Sequence, residues 1–244
     1  MFTKRLIFII LVGSAISCSF FGSLYAQSKV RSNEELTTKQ KSIIPIAAYT
    51  AQGELQHLKS ALNEGLDVGL TINEIKEIIV HLYAYCGFPR SIRGLQTFME
   101  VLDERKAKGV IDETGADASP VNDKRSKYER GKENLEKLIG MPISGPQRGY
   151  AAFAPVIEIF LKEHLFSDIF ERDILTFAER ELVTVSVLSS VGSVEPMLRS
   201  HLSICLNVGL TPEQLREFID ILKSTIGKKE AKNAQKVLDE VLKS

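Results

Sequence analysis

Residues 57–87 of this chain recur as residues 197–227. At a constant offset of 140, 12 of 31 positions are identical, from Leu58/Leu198 through Gly69-Leu70-Thr71/Gly209-Leu210-Thr211 to Gly87/Gly227. Upstream the match continues at an offset of 139, pairing Leu36-Thr37 with Leu175-Thr176 and Gly53 with Gly192, so one residue was gained or lost after the glycine. Such self-similarity at a fixed period means that one supersecondary unit is built twice, and each copy must fold in the same way.

Each copy reads as helix. Thr37 with Gln40, Thr71 with Glu74, Thr176 with Glu179 and Thr211 with Gln214 all have the spacing of a capping box. There a hydroxyl and a side chain three residues on satisfy amides left open at a helix start. Leu55, Leu58, Leu62 and Leu66 in the first copy, and Leu198, Leu202 and Leu206 in the second, recur with a helical period. A third helix carries Ile75, Ile78, Ile79 and Leu82, or Leu215, Phe218, Ile219 and Leu222, with Pro212 at a first helical position. Gly87 and Gly227 stop it, and a fourth helix follows through Ile92, Leu95, Phe98 and Leu102 or through Ala234, Val237, Leu238 and Val241. Pro45 falls inside the first helix of copy one, where a kink or late start is expected. No run of strict alternation marks a strand, so the expected fold is all-α.

The organisation follows from composition shifts. Lys4 and Arg5, the apolar run Leu6 to Val12 and the small residue Ala26 predict a signal peptide over residues 1–26. The alternative is a lipoprotein signal in which Cys18 is lipidated. Gly13, Ser14, Ser17 and Ser19 interrupt any membrane span of roughly 20 apolar residues. The first repeat domain is expected over 33–108, a linker over 109–127 and the second domain over 128–244. Helical stretches over 128–139 and 155–166 make the second domain the fuller one. An exported, periplasmic protein is the expectation.

The whole chain balances 31 basic against 31 acidic residues, and without residues 1–26 the count is 29 against 31, a net of −2. That leaves no basic excess to attract a phosphate backbone, so no nucleic-acid partner is expected. Three cysteines, Cys18, Cys86 and Cys205, and four histidines, His57, His81, His164 and His201, lie too far apart for zinc-finger or disulfide-knot spacing. No metal is implied.

The segments RELVTVSVLSSVG (180–192), RSHLSICLNVGLTPEQLREFI (199–219) and ALNEGLDVGLTINEIKEIIVHLYAYCGFPRS (61–91) resemble the carboxymuconolactone decarboxylase family, which shares its fold with the AhpD-like alkylhydroperoxidases. The resemblance covers nearly all of the chain after residue 26 and implies two tandem AhpD-like helical bundles. It also implies a homo-oligomer, a trimer or hexamer-like ring. The peroxidase branch uses two cysteines two residues apart and a histidine four residues after the second. The histidine position falls on His201, but the cysteine positions fall on Val194 and Met197, and the first copy has His57 and Ala61 at the second-cysteine and histidine positions. The decarboxylase branch fits more closely, and implies a cofactor-free carboxy-lyase acting on a small-molecule substrate. Loss of CO2 leaves an enolate-like carbanion that an acid must protonate, a task suited to histidine oriented by a carboxylate.

By that resemblance His201 is the acid–base candidate. Glu181 and Glu195 are its possible carboxylate partners, and Arg180 and Arg199 are binders of substrate carboxylates. The plainer alternative makes the four charged residues solvated helix-face groups and His201 a structural histidine. His81 and Tyr85, four residues apart on one face, form either a pocket wall between the halves or part of the core. Cys205 lies one turn after His201 and offers a thiol–imidazole pair, or is a small buried hydrophobe. Cys86 is expected to pack, although a Cys86–Cys205 disulfide is chemically allowed. Three activities compete: acid–base decarboxylation or isomerisation, a single-thiol antioxidant of peroxiredoxin type, and a non-catalytic oligomeric binding protein. The second copy keeps the histidine and the first keeps the Tyr-x-Gly-x-Pro end, an arrangement that allows one composite pocket with a part from each.

Overall fold

The computed structural model describes residues 35–243. The expectations for the leader, Cys18 included, lie outside the described residues. From Leu36 onward the chain forms one compact unit. Its first copy comprises α1 (Thr38–Gln52), α2 (Leu55–Asp67), α3 (Ile72–His81) and α4 (Tyr83–Ala107). After a connection come α5 (Lys127–Ile139), the short α6 (Tyr150–Phe153) and α7 (Pro155–Phe160), and a π-helix over Leu161–Ile169. The second copy is α8 (Phe177–Val191), α9 (Glu195–Asn207), α10 (Pro212–Thr225) and α11 (Lys228–Val241). The described residues contain no strand, as the periodicity requires.

All four repeat capping boxes form, with Thr37, Thr71, Thr176 and Thr211 each accepting from the backbone N–H three residues on. Ser126 with Glu129 adds a fifth at the start of α5. Gly87, at φ 82° and ψ 160°, breaks the helical path four residues into α4, in a conformation open to glycine. Of the two expectations at Pro45, the late start is corrected: α1 starts at Thr38 and continues past the proline. Ile43, Ile44, Ile46, Ala47 and Ala48 around it are all fully buried, and that packing offsets the roughly 3 kcal/mol cost of an interior proline.

Helices α1 and α8 pack against each other at the centre. In α8 every residue from Arg180 to Ser189 is buried, so it is a core helix on all sides. Its hydroxyls fold back on the helix itself: Thr184, Ser186 and Ser189 donate to the carbonyls of Arg180, Leu182 and Val185. One apolar cluster takes residues from both copies, including Ile43, Leu58, Leu62 and Ile79 with Leu182, Val185, Leu202 and Phe218. The halves therefore share a core. The connection between them is also held in place. Carbonyls of Glu113 and Thr114 accept from the open amides of Ile72 and Asn73 at the start of α3, and Arg105 holds Asp112.

A second cluster, with Leu138, Phe166, Ile169, Phe170 and Ile204, seats the α5 and π-helix pair on α9. Here α5 approaches so closely that a Cβ on Gly131 would lie 1.8 Å from the carbonyl oxygen of Lys162. Gly131→Ala is expected to push the two helices apart and to lower stability by about 1–3 kcal/mol in urea unfolding. Unchanged unfolding would contradict this packing.

Candidate acid–base site

The capping box at Thr176 sets the register of α8 so that Arg180, Glu181 and Thr184 point into the molecule, each 0% exposed. Nearly two turns into α9, His201 faces them. Its Nδ1 lies 2.7 Å from Glu181 Oε2, and its side chain is 14% exposed against none for the carboxylate. A carboxylate only accepts in such a bond, so Nδ1 carries the proton and Nε2 is left for other chemistry. The third wall comes from the first copy: the Tyr85 ring stands at 84° to the His201 imidazole, with centroids 5.8 Å apart. Gly87 ends that turn and turns the chain away.

Behind the pair runs a buried polar network that crosses between copies. Glu77 on α3 takes Arg180 Nη2 at 2.8 Å and Arg172 Nε at 2.9 Å, and is itself 1% exposed. Arg180 also donates to the Arg172 carbonyl. Its Nη1 reaches His81 Nδ1 at 3.3 Å, while His81 Nε2 lies 3.0 Å from Thr184 Oγ1. Since arginine can only donate, Nδ1 of His81 accepts. The ring proton is then on Nε2, directed to Thr184, whose own hydroxyl proton goes to the Arg180 carbonyl. The repeat generates a reciprocal pair on the other side: Lys41, at the Arg180 position, meets Glu217, at the Glu77 position, at 2.5 Å. Glu217 also accepts from the Leu36 amide at 2.7 Å.

Burial governs the protonation states. The His81 pKa falls well below the ordinary histidine value because the ring is fully enclosed, with the charges of Arg180 and His201 adding to the effect. Enclosure, reinforced by the Glu181 charge, raises the Tyr85 phenol far above its usual range, so it stays a neutral donor. Burial also raises the Cys205 thiol well above normal, again with Glu181 contributing. Cys86 is pushed up to about 11 by burial, with nearby Arg90 opposing.

The structure thus brings His201, Glu181, Tyr85, His81 and Arg180 into one cluster. Arg180 is wholly buried and committed to Glu77. Glu195 accepts instead from Asn233 at 2.9 Å and lines a surface groove of about 590 Å³ with Lys229, Lys232 and Lys236. Exposed Arg199 pairs with Glu240 on α11. Cys86 and Cys205 are both free thiols. A groove of about 780 Å³, lined by Tyr49, His57, Cys86 and Arg90, lies at the C-terminal ends of α1 and α8, nine or more residues along α8 from Glu181. Chemistry and open volume therefore do not coincide, and His201 presents an edge to solvent rather than the floor of that groove.

Three members of the network escaped sequence reasoning, Glu77, Arg172 and Thr184. Glu77 did carry a signal, because Glu77/Glu217 is the one charged identity in the repeat. At the reciprocal site Ser42, Ala61, Ile221 and Thr225 replace Glu181, His201, His81 and Tyr85. Neither copy supplies its half of a second such arrangement.

The carboxymuconolactone decarboxylase family matches residues 23–98 and 157–240. The chain belongs to that family, with two tandem copies of its domain. It is 25% identical over 79 residues to an uncharacterised protein of Methanocaldococcus jannaschii, a match covering 32% of this chain and 74% of that protein. It is 31% identical over 84 residues to the 4-carboxymuconolactone decarboxylase of Acinetobacter baylyi, covering 34% of this chain and 63% of the enzyme.

The neutral, buried His81 has a consequence for stability. Its folded pKa lies below the unfolded value of about 6.5, so its contribution is complete above that pH. As pH falls below about 6.5, the unfolded chain binds a proton that the folded chain refuses, and stability drops by up to about 1.4 kcal/mol per pH unit. Urea unfolding between pH 7.5 and 5.5 is expected to show a shallower pH dependence in His81→Gln than in the wild type. Equal slopes would place His81 outside this account.

Proposed function

We propose that the protein performs cofactor-free acid–base chemistry, decarboxylation or isomerisation, on a small carboxylated lactone or oxo acid. The observation that carries this is the His201–Glu181 pair, with one imidazole nitrogen held by a buried carboxylate and its edge reaching solvent. In decarboxylation the bond to the leaving carboxylate breaks and its electron pair passes into the substrate carbonyl as an enolate. The imidazolium of His201 then gives its Nε2 proton to carbon, and solvent returns a proton to the ring. Glu181 stabilises the imidazolium and fixes its orientation. Likeness to a 4-carboxymuconolactone decarboxylase makes that lactone the first substrate to try.

A thiol route finds little support in the geometry. Cys205 is fully buried with a raised pKa, and no hydrogen bond among the described residues joins it to His201. Export behind residues 1–26 belongs to the same proposal and rests on the leader pattern alone. Self-association is supported by the exposed apolar side chains of α6 and α7, among them Tyr150, Phe153, Val156 and Phe160. Light scattering is expected to give a multiple of the chain mass, and a monomer would contradict it.

The activity is tested by following 4-carboxymuconolactone and related oxo acids by proton NMR. Wild type is expected to turn over at least one of them, His201→Ala to lose about 10²–10⁴-fold, and Arg199→Ala to keep its rate. Absence of turnover in the wild type, or full activity in His201→Ala, would overturn the proposal.

A further inference from the structure

Three buried side-chain atoms beside the His201–Glu181 pair have no hydrogen-bond partner: Tyr85 Oη, Arg180 Nε and Glu181 Oε1. They are the unpartnered buried side-chain atoms of the described residues, and contacts link all three residues: Tyr85 packs on His81 and His201, His81 meets Arg180, and His201 meets Glu181. Buried polar atoms in folded proteins are overwhelmingly paired, so three orphans together require a common cause. Their chemistry is complementary. Arg180 Nε–H is a donor, Glu181 Oε1 an acceptor, and the Tyr85 hydroxyl either. None of the three is satisfied by its neighbours. The rest of the Arg180 guanidinium is committed to Glu77, His81 and the Arg172 carbonyl. The Thr184 hydroxyl accepts from His81 Nε2 and gives its proton to the Arg180 carbonyl, so it has no proton left for the tyrosine oxygen.

We propose that one internal water molecule, or a ligand hydroxyl of the same size and donor–acceptor character, is held by Tyr85 Oη, Arg180 Nε and Glu181 Oε1. It accepts from Arg180, donates to Glu181 and bonds the tyrosine hydroxyl, three partners that make a buried water part of the structure. The consequence is a role for residues of both copies in orienting His201. The water fixes the second oxygen of Glu181, and so the carboxylate plane that holds Nδ1 of His201. Tyr85 and Arg180 are then positioning residues, and the first copy serves the site of the second.

The catalytic meaning rests on the reading of His201 as the acid–base group, whereas the bound water does not. Two measurements on the full chain separate them. The first is a crystal structure at a resolution that shows ordered waters, for wild type and for Tyr85→Phe, which keeps the ring against His201 and removes only the hydroxyl. Density within hydrogen-bond distance of all three atoms in the wild type, lost or displaced in Tyr85→Phe, supports the proposal. Direct contact among the three atoms, without density between them, overturns it. A ligand hydroxyl in the same position is distinguished from water by its continuing density. The second is the low-field NMR resonance of the His201 Nδ1 proton. It is expected to shift in Tyr85→Phe while the aliphatic core resonances of Leu202 and Leu222 stay fixed. An unmoved Nδ1 resonance overturns the positioning role. If the water and the shift are both found but wild type turns over no lactone or oxo acid, the function falls and the site stands.

Discussion

A buried ion pair between the two copies is the interaction on which the rest of the molecule depends. Glu77 and Arg180 meet at 2.8 Å with 1% and 0% of their side chains exposed. Two charges taken that far from water are tolerable only in good geometry with their remaining hydrogen bonds filled. Arg172, the Arg172 carbonyl and His81 supply those bonds. The demands of the pair thus determine where α3 sits against α8. That placement carries Tyr85, just beyond the end of α3, up to His201. A pair of this kind is weak as a source of stability but strict about arrangement, and arrangement is what a composite site requires.

The duplication explains why the pair has a counterpart. Lys41 and Glu217 repeat it on the other side with more solvent access, at 33% and 25% exposure. Two equivalent sites would follow if both copies kept every residue. Instead the first copy lacks the carboxylate and imidazole of the acid–base pair, and the second lacks the histidine and tyrosine that wall it. The differences are complementary, so the His–Glu–Tyr arrangement is complete once and incomplete at the reciprocal position. A charged pair survives at both, since each is needed to seat α1 and α8 against the opposite copy.

Much of this was legible in the residues. The repeat, its offset and four capping boxes located the helices to within a residue or two, because local hydrogen bonding decides where a helix begins. The His201–Glu181 pairing and the contribution of Tyr85 were within reach of the motif resemblance. Arg180 was harder: an arginine on a helix reads as solvated, and only the fold reveals that α8 is enclosed on every side. Glu195 and Arg199 went the other way, since they lie on the outer side of α9 and each found a partner on α11. Pro45 was misleading for a related reason, as burial around α1 outweighs a local preference against helix. The π-helix over Leu161–Ile169, which packs on α5, reads from the sequence only as a helical stretch.

A double-mutant cycle on Glu77 and Arg180, read by urea unfolding, tests the central claim most directly. Glu77→Gln and Arg180→Met are each expected to cost about 3–5 kcal/mol, because each strands a buried charge. The double variant removes both charges and is expected to cost well under the sum of the two. Additive losses would mean that the two residues act independently, and that the copies are not joined through this pair.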